Sequence, residues 1–306
     1  VNPEWSVPED RVVLVTGGNA GIGYFVSEQL ARAGATVVIA SRGRERGLAA
    51  ETALRTQVPE ASVRHLRLDL ASQASVRDAA EEISAYPRLD AMVLNAGVLT
   101  QGRRQETADG HELVFGTNHL GHAGLVARVL PALSAAQQPA RIVTVGSFGA
   151  RWVKLDFADL KSSRGRYFGF RAYLRSKLAQ MVWAAELDRR LRAAGSPVQS
   201  ILAHPGGALD GLTDPRPPVL EHTLKLKVLG VAGLAFAAQS KEAAAWPLVR
   251  AALDPDAVGG QLYGPRYLRS RGPAVLEKPP ASMADLELGA RTWAVTADLL
   301  GLSLPI

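Results

Sequence analysis

Short apolar runs alternate along this chain with longer stretches in which apolar residues recur every three or four positions. The runs are Val12 to Val15, Thr36 to Ala40, Ser62 to Leu68, Ala91 to Leu94, Arg141 to Val145 and Val198 to Ala203. Their β-branched content predicts strands, and the unbroken Val12-Val13-Leu14-Val15 suits a strand buried on both faces. Helical spacing marks Tyr24 to Arg32, where Phe25, Val26, Leu30 and Ala31 share a side. It returns at Arg44 to Thr56, at Ser75 to Ser84, and in one long pattern from Gln105 to Leu133. A further helix opens at Ala172 and runs to about Leu191. Lys241 to Leu253 reads as a helix, Gln261 to Tyr263 as a short strand, and Ala284 to Leu300 as a closing helix. Strand and helix in alternation predict an α/β fold, a doubly wound and mostly parallel central sheet with helices on both faces.

Two stretches break the pattern. Arg151 to Arg171 is irregular, with Trp152, Tyr167, Phe168 and Phe170 set among charges, and reads as an insertion over a site. Residues 207–239 have little strand signal and contain Asp214-Pro215-Arg216-Pro217-Pro218, which reads as a mobile lid. No internal repeat, low-complexity tract or linker interrupts residues 1–306, so a single domain is expected.

Composition removes several classes of function. The net charge of +6 comes from arginines scattered along the chain, not from a basic stripe with interleaved aromatics, so no nucleic-acid partner is expected. Without cysteine there is no disulfide framework, thiolate nucleophile or cysteine metal site, and a reducing compartment is suited. The first residues, Val1-Asn2-Pro3-Glu4-Trp5, show no charged-then-apolar signal pattern. The best candidate for a membrane span, Val228 to Ala238, is too short and follows a lysine pair. A cytoplasmic protein with no membrane span is the expectation.

Candidate chemistry begins where the first strand ends. Thr16-Gly17-Gly18-Asn19-Ala20-Gly21-Ile22-Gly23 places a glycine turn between a strand and a helix N-terminus. Free N–H groups, the positive helix end and the absence of side chains suit a pyrophosphate there. After the second strand come Ser41 and Arg42, with Arg44 and Arg46 close by. An acidic residue at this place would bond a ribose 2′-hydroxyl; guanidinium groups suit a 2′-phosphate, so NADPH is predicted over NADH. The alternative is that these arginines decorate a surface helix. Asp69-Leu70 could meet an adenine amino group, or Asp69 could start the next turn and cap the helix at Ser75. Asn95-Ala96-Gly97 leaves room for a cofactor's adenosine side, and Asn95 can also tie neighbouring strands. Asn118 and Gly121 cost helix propensity where they stand, so Asn118 could open a turn and hold a water, and Gly121 could allow close packing. His119 and His122 are three apart, but no third ligand is at useful spacing and no metal is expected. Val145-Gly146-Ser147-Phe148-Gly149 is similar to a hydrolase nucleophile elbow but has valine at that motif's first glycine. Tyr173 and Lys177 share a helix face, where an ammonium would lower the phenol's pKa and make it usable as an acid or base. Alone, that spacing more often marks a surface pair.

The ordered set Thr16-Gly17, Gly21, Gly23, Asp69, Asn95-Ala96-Gly97, Asn118, Ser147, Tyr173 with Lys177, and Pro205-Gly206 resembles the short-chain dehydrogenase/reductase family over nearly the whole chain. Ser41-Arg42, Asp109 to His122 and Tyr173 to Ala179 resemble its retinol-dehydrogenase-like and protochlorophyllide-reductase-like group. The resemblance implies a Rossmann fold that transfers hydride between NADP (NADPH) and a carbonyl or secondary alcohol. It implies Asn118, Ser147, Tyr173 and Lys177 as the catalytic residues. Tyr173 would protonate the substrate oxygen, Ser147 would hydrogen-bond it, Lys177 would tune Tyr173 and hold the nicotinamide ribose, and Asn118 would place a water. It implies a cofactor held by Thr16, Gly17, Asn19, Gly21, Ile22, Gly23, Ser41, Arg42, Asp69, Leu70, Asn95, Ala96, Gly97, Tyr173, Lys177, Pro205 and Gly206. One position departs: the family's threonine after Pro-Gly, which meets the carboxamide, is Asp210 here, so either Thr213 takes over or that contact differs. Trp152, Phe168, Phe170 and the apolar stretch Leu224 to Val231 point to a hydrophobic or cyclic substrate. A non-enzymatic NADPH-binding sensor or scaffold, with Asp210 as its foothold, is one alternative. A same-fold epimerase or dehydratase is another, opposed by Ala20 at that branch's middle glycine. The family's homodimers and homotetramers pair the long helices around Asn118 and Tyr173, whereas members with a long insertion and tail are sometimes monomers.

Overall fold

The computed structural model describes residues 11–134, 139–221, 238–303 and 306. Eight strands form one sheet: β1 (Val12–Thr16), β2 (Thr36–Ser41), β3 (Val63–Arg67), β4 (Ala91–Leu94), β5 (Arg141–Val145), β6 (Gln199–Ala203), β7 (Leu262–Tyr267) and β8 (Arg271–Glu277). Their order is β3-β2-β1-β4-β5-β6-β7-β8, with every neighbouring pair parallel except β7 and β8. Alternation along each strand sends residues to two cores. Val13, Val15, Val37, Ile39, Val93 and Val143 pack with Phe25, Leu30, Leu54 and Leu248. Leu14, Val38, Met92 and Ile142 pack with Val76, Ile83, Leu125, Val129 and Leu187. Helices α1 (Gly21–Arg32), α2 (Arg44–Gln57) and α7 (Lys241–Leu253) supply the first set of partners. Helices α3 (Gln73–Ser84), α5 (Gly121–Ser134) and α6 (Gly169–Ala193) supply the second. The unbroken apolar strands follow from this burial on both faces.

The long pattern from Gln105 to Leu133 is not one helix. Its first residues form an irregular loop, closed by a bridge between Glu106 and Glu112. Helix α4 (Leu113–Phe115) then runs through a π turn, Gly116–Leu120, into α5. Glu112 caps the start, accepting from Val114 N and Phe115 N at 2.9 and 2.7 Å. A 3-10 turn, Phe148–Trp152, leads into the insertion, and no further helix or strand is formed before α6, which starts at Gly169, three residues ahead of the expected Ala172. Tyr167 pins the insertion to the body: its hydroxyl donates to Glu112 Oε1 at 2.8 Å and lies 3.0 Å from Thr100 Oγ1. The expected strand at Gln261 to Tyr263 is longer, and β8 is an addition to the expected elements. Two helices close the described chain, α8 (Ala281–Ala284) and α9 (Leu286–Leu300). Of the expected lid, residues 222–237, and with them Leu224 to Val231, lie outside the described residues. No described helix is long and apolar enough to cross a membrane.

Candidate active site

Chain connections leave β1 and β4 toward opposite sides of the sheet, so a crevice opens beyond the carboxyl ends of these two strands. A cavity of about 710 Å³ occupies it, walled by the glycine turn, residues 40–46, residues 68–70, residues 95–98 and Thr117. In the turn, Gly17 and Gly21 have φ of +65° and +57°, values that side-chain-bearing residues avoid. A Cβ on Gly23 would fall 2.3 Å from Gly17 O and 2.4 Å from Asn95 Nδ2, so only glycine lets the turn sit this tightly. Asn95 Nδ2 donates to Thr16 O at 3.0 Å, and Ala96 N donates to Thr16 Oγ1 at 3.0 Å. Asn95 therefore does tie β4 to β1. Helix α1 begins at the cavity without a side-chain cap and without an acidic residue in its first turn. Thr16, Gly17, Asn19, Gly21 and Ile22 all line the cavity, which fits an extended polyphosphate-bearing ligand.

At the far end of the cavity Arg42, Arg44 and Arg46 are exposed along its wall. Ser41 lies in the same wall but is buried, and its Oγ is 2.9 Å from His65 Nε2. The guanidinium groups, not the serine hydroxyl, are thus the groups open to an anion. Asp69 and Leu70 also line the cavity. Asp69 Oδ1 accepts from Ala71 N at 3.0 Å and starts the turn, but the cap of α3 is Ser72, which accepts from Ser75 N.

The candidate catalytic residues gather at the carboxyl end of β5. One residue, Gly146, separates Ser147 from the end of β5, and the Ser147 side chain approaches Tyr173 on α6. Gly146 permits this approach, since a Cβ there would lie 2.6 Å from Met181 Sδ. Burial raises the Tyr173 pKa, and the Ser147 hydrogen bond opposes that. The expected lowering by Lys177 is not found. Lys177 is buried, and its Nζ donates to Val145 O at 2.7 Å and to Gln180 Oε1 at 3.1 Å. Burial pulls its pKa down to about 8. Asn118 stands in the π turn, where its side chain clamps Val98 and reaches Ser176: Oδ1 accepts from Val98 N at 2.7 Å, and Nδ2 donates to Val98 O at 3.1 Å and Ser176 Oγ at 3.0 Å. Its amide head and the Lys177 ammonium both flank Gly97, within 3.4 and 3.8 Å of a Cβ built there. The four residues therefore share one end of the sheet, beside the Gly97 end of the cavity. Gln180 was not a sequence candidate; its position three residues after Lys177, on the same face, was the available signal.

The other candidates are placed differently. Pro205 and Gly206 follow β6 and do not line the cavity; Gly206 has φ of +68° and packs against Ser270, whose carbonyl a Cβ would meet at 2.4 Å. Asp210 pairs with Lys241. Thr213 does not turn to the cavity: it is buried, its Oγ1 donates to Leu209 O at 2.8 Å and accepts from Lys241 N at 2.9 Å. His119 and His122 diverge, His119 Nε2 toward Thr296 Oγ1 at 2.8 Å and His122 Nε2 toward Thr16 Oγ1 at 2.9 Å. Among the described residues no group of three or more histidines and carboxylates could hold a metal ion.

A family described as short chain dehydrogenase matches residues 11–214. Polyprenol dehydrogenase of Mus musculus is 40% identical over 295 residues, covering 95% of this chain and 84% of that one. Retinol dehydrogenase 13 of Homo sapiens is 35% identical over 303 residues, covering 96% and 86%. A crystal structure of a Mycobacterium paratuberculosis protein superposes with a TM-score of 0.79 at 30% identity, covering 99% of this chain and 97% of that one.

Proposed function

The chain belongs to the short-chain dehydrogenase family, and from that premise we propose that it moves hydride between NADPH and a hydrophobic carbonyl or secondary alcohol. One observation carries the reading: Ser147 and Tyr173 face each other past the carboxyl end of β5, and buried Lys177 flanks Gly97 at the end of the cavity. NADPH, when bound, supplies the hydride. Its pyrophosphate is assigned to the glycine turn from Thr16 to Gly23, its 2′-phosphate to Arg42, and its adenine to Asp69 and Leu70.

Tyr173 holds the proton that goes to the substrate oxygen. Its raised pKa keeps the phenol protonated at neutral pH, which suits carbonyl reduction. The Ser147 hydroxyl can bond the same oxygen and stabilise negative charge as it develops there. Lys177 is assigned the resupply of that proton, and burial, which pulls its pKa down to about 8, makes it a readier donor. Asn118 fixes the loop through Val98 and so sets the place of Gly97 beside Lys177. Asp210 stays compatible with a nearby phosphate because Lys241 offsets its charge.

Two relatives are named for polyprenol and retinol. At the site itself Phe170 stacks on Tyr173 with ring centroids 6.4 Å apart. Trp152, Phe168 and Phe170 are 64%, 54% and 58% exposed, an apolar rim that supports a hydrophobic substrate. The test is a fluorescence titration with NADPH and NADH on wild type and Arg42→Ala, followed by turnover with lipophilic ketones and small polar aldehydes. Loss of one phosphate contact should cost about 1.5–3 kcal/mol for NADPH and little for NADH. Equal affinities unchanged by the mutation would remove the 2′-phosphate assignment. Turnover confined to small polar aldehydes would remove the substrate class.

A further inference from the structure

Behind Tyr173 and Ser147 lies a series of buried polar side chains that hydride transfer alone does not require. Thr16, His122, Gln180 and Lys177 are 0%, 1%, 2% and 3% exposed. Lys177 Nζ donates to Gln180 Oε1 at 3.1 Å, Gln180 Nε2 lies 3.2 Å from His122 Nδ1, and His122 Nε2 lies 2.9 Å from Thr16 Oγ1. The series joins the lysine on α6, through α5, to the first residue of the glycine turn.

Donor and acceptor chemistry gives the series a direction. An ammonium only donates, so it holds the Gln180 amide with Oε1 toward itself. The Nε2 hydrogens of Gln180 then face His122. Facing that donor, a bare Nδ1 accepts, an arrangement that puts the imidazole proton on Nε2, donating to Thr16 Oγ1. Thr16 passes its own hydrogen to Val93 O at 3.4 Å and accepts from Ala96 N. One group competes. Asn118 O is 2.9 Å from the same Nδ1 and can only accept, so a bare Nδ1 faces it acceptor against acceptor, whereas a proton placed there would set His122 and Gln180 donor against donor. With Lys177 charged, the first arrangement satisfies the Gln180 amide. Burial keeps the imidazole neutral, its pKa pushed down to about 3, so it acts through hydrogen-bond direction and not through charge.

We infer that Gln180 and His122 are positioning residues for Lys177: they orient its ammonium in a buried site and set how readily it gives up its proton, in register with the glycine turn. The inference deepens the proposed function, since it rests on Lys177 as the proton-handling group. Tyr173 stands one helical turn before Lys177 on α6, and His122 from α5 is the titratable group whose charge couples to that of Lys177. Strand β5 offers Val145 O, and the loop after β4 offers Gly97 backbone with the Asn118 amide beside it. No carboxylate contributes to the Lys177 shift; burial is its cause. A buried ammonium with few partners depends strongly on each one it has.

The test is an NMR titration of the Lys177 side chain in protein carrying labelled lysine, assigned with Lys177→Arg. Wild type is compared with Gln180→Glu, Gln180→Leu and His122→Phe. A carboxylate in Gln180→Glu should raise the Lys177 midpoint by about one to three pH units. Gln180→Leu and His122→Phe should lower it, because each weakens the hydrogen bonding of the charged form. In wild type, nitrogen NMR of labelled histidine should show His122 Nδ1 bare while Lys177 is charged, a readout that needs no variant to fold. Unchanged midpoints in folded variants, or a proton on Nδ1 beside a charged Lys177, would overturn the inference. Midpoints need no substrate, so this test is separate from that of hydride transfer, which Tyr173→Phe addresses. Where turnover is measured, the pH profile of kcat/KM should move with the midpoint, whereas a merely structural loss would lower it equally at every pH.

Discussion

At the scale of single residues, the structure separates groups that are open to a ligand from groups already engaged. Tyr173 faces Ser147 at the end of β5, so Tyr173→Phe should lower kcat by roughly 10²–10⁴ and leave NADPH affinity unchanged. Single-turnover kinetics beside a binding titration would check both halves, and a variant that turned over normally would remove Tyr173 from the chemistry. Ser41 and Arg42 adjoin in the sequence but differ here. The serine hydroxyl already meets His65, whereas the guanidinium lies in the open wall. Arg42→Ala should therefore raise the Kd for NADPH far more than Ser41→Ala, and equal losses would return the serine to the phosphate. Thr213 makes the same point from the other side. The chain offers a threonine three residues after the expected position, but its hydroxyl holds the start of α7 to Leu209 and has no reach to spare.

Elements show how much of this was legible and why the remainder was not. The strands from β1 to β6 were legible because burial on both faces writes unbroken apolar runs. Strand β8 was not: it carries Gly272 and Pro273 on the sheet edge, and of its residues only Ala274 is buried, so neither period nor β-branching marks it. The stretch around Asn118 was half legible. Its poor helix formers pointed to a special geometry, and the π turn supplies one. The carbonyls and amides freed by it could not be traced from spacing alone. Gly121 was read correctly as a close approach, for a Cβ there would lie 2.3 Å from Leu70 O. Gly121→Ala should thus cost about 1–3 kcal/mol in urea unfolding despite alanine's better helix propensity; no loss would mean that Leu70 yields easily. The same element makes the fold acid-sensitive. Burial holds His119 and His122 neutral, with pKa values near about 3 against 6.5. Their folded pKa is depressed, so the unfolded chain binds more protons between pH 6.5 and 3. Stability is full above pH 6.5 and falls as pH drops, by about 1.4 kcal/mol per pH unit for each histidine. Urea midpoints at stepped pH should fall less steeply in His119→Phe than in wild type, and parallel slopes would clear His119 of the effect.

For the whole molecule the question is what covers the outer face of α6. Helix α9 lies along it: Trp293 stacks on Trp183 with centroids 5.4 Å apart, and Arg190 sits 4.6 Å over the Trp293 ring. Thr296 reaches His119 in the π turn, while Leu299 and Leu300 pack beside Phe115 and Leu120. Asp285 caps α9 at Leu288 N and Gly301 ends it with φ of +60°, so the helix is specified at both ends. The helices that the family resemblance would pair in dimers and tetramers, those that carry Asn118 and Tyr173, are thus partly covered by α9. The expected consequence is a monomer whose tail acts as the partner would. Trp293→Ala should cost about 3–5 kcal/mol, as large buried aromatics do, and should loosen α9 as a unit because so many of its contacts run through that ring. Once α9 lifts, Trp183, Phe115 and Leu120 form an apolar face that water does not favour and a second copy could cover. Sedimentation velocity should then show wild type as a monomer at all concentrations and Trp293→Ala associating as concentration rises. A wild-type dimer would instead mean that association uses another face and that α9 is a packing element with no bearing on assembly.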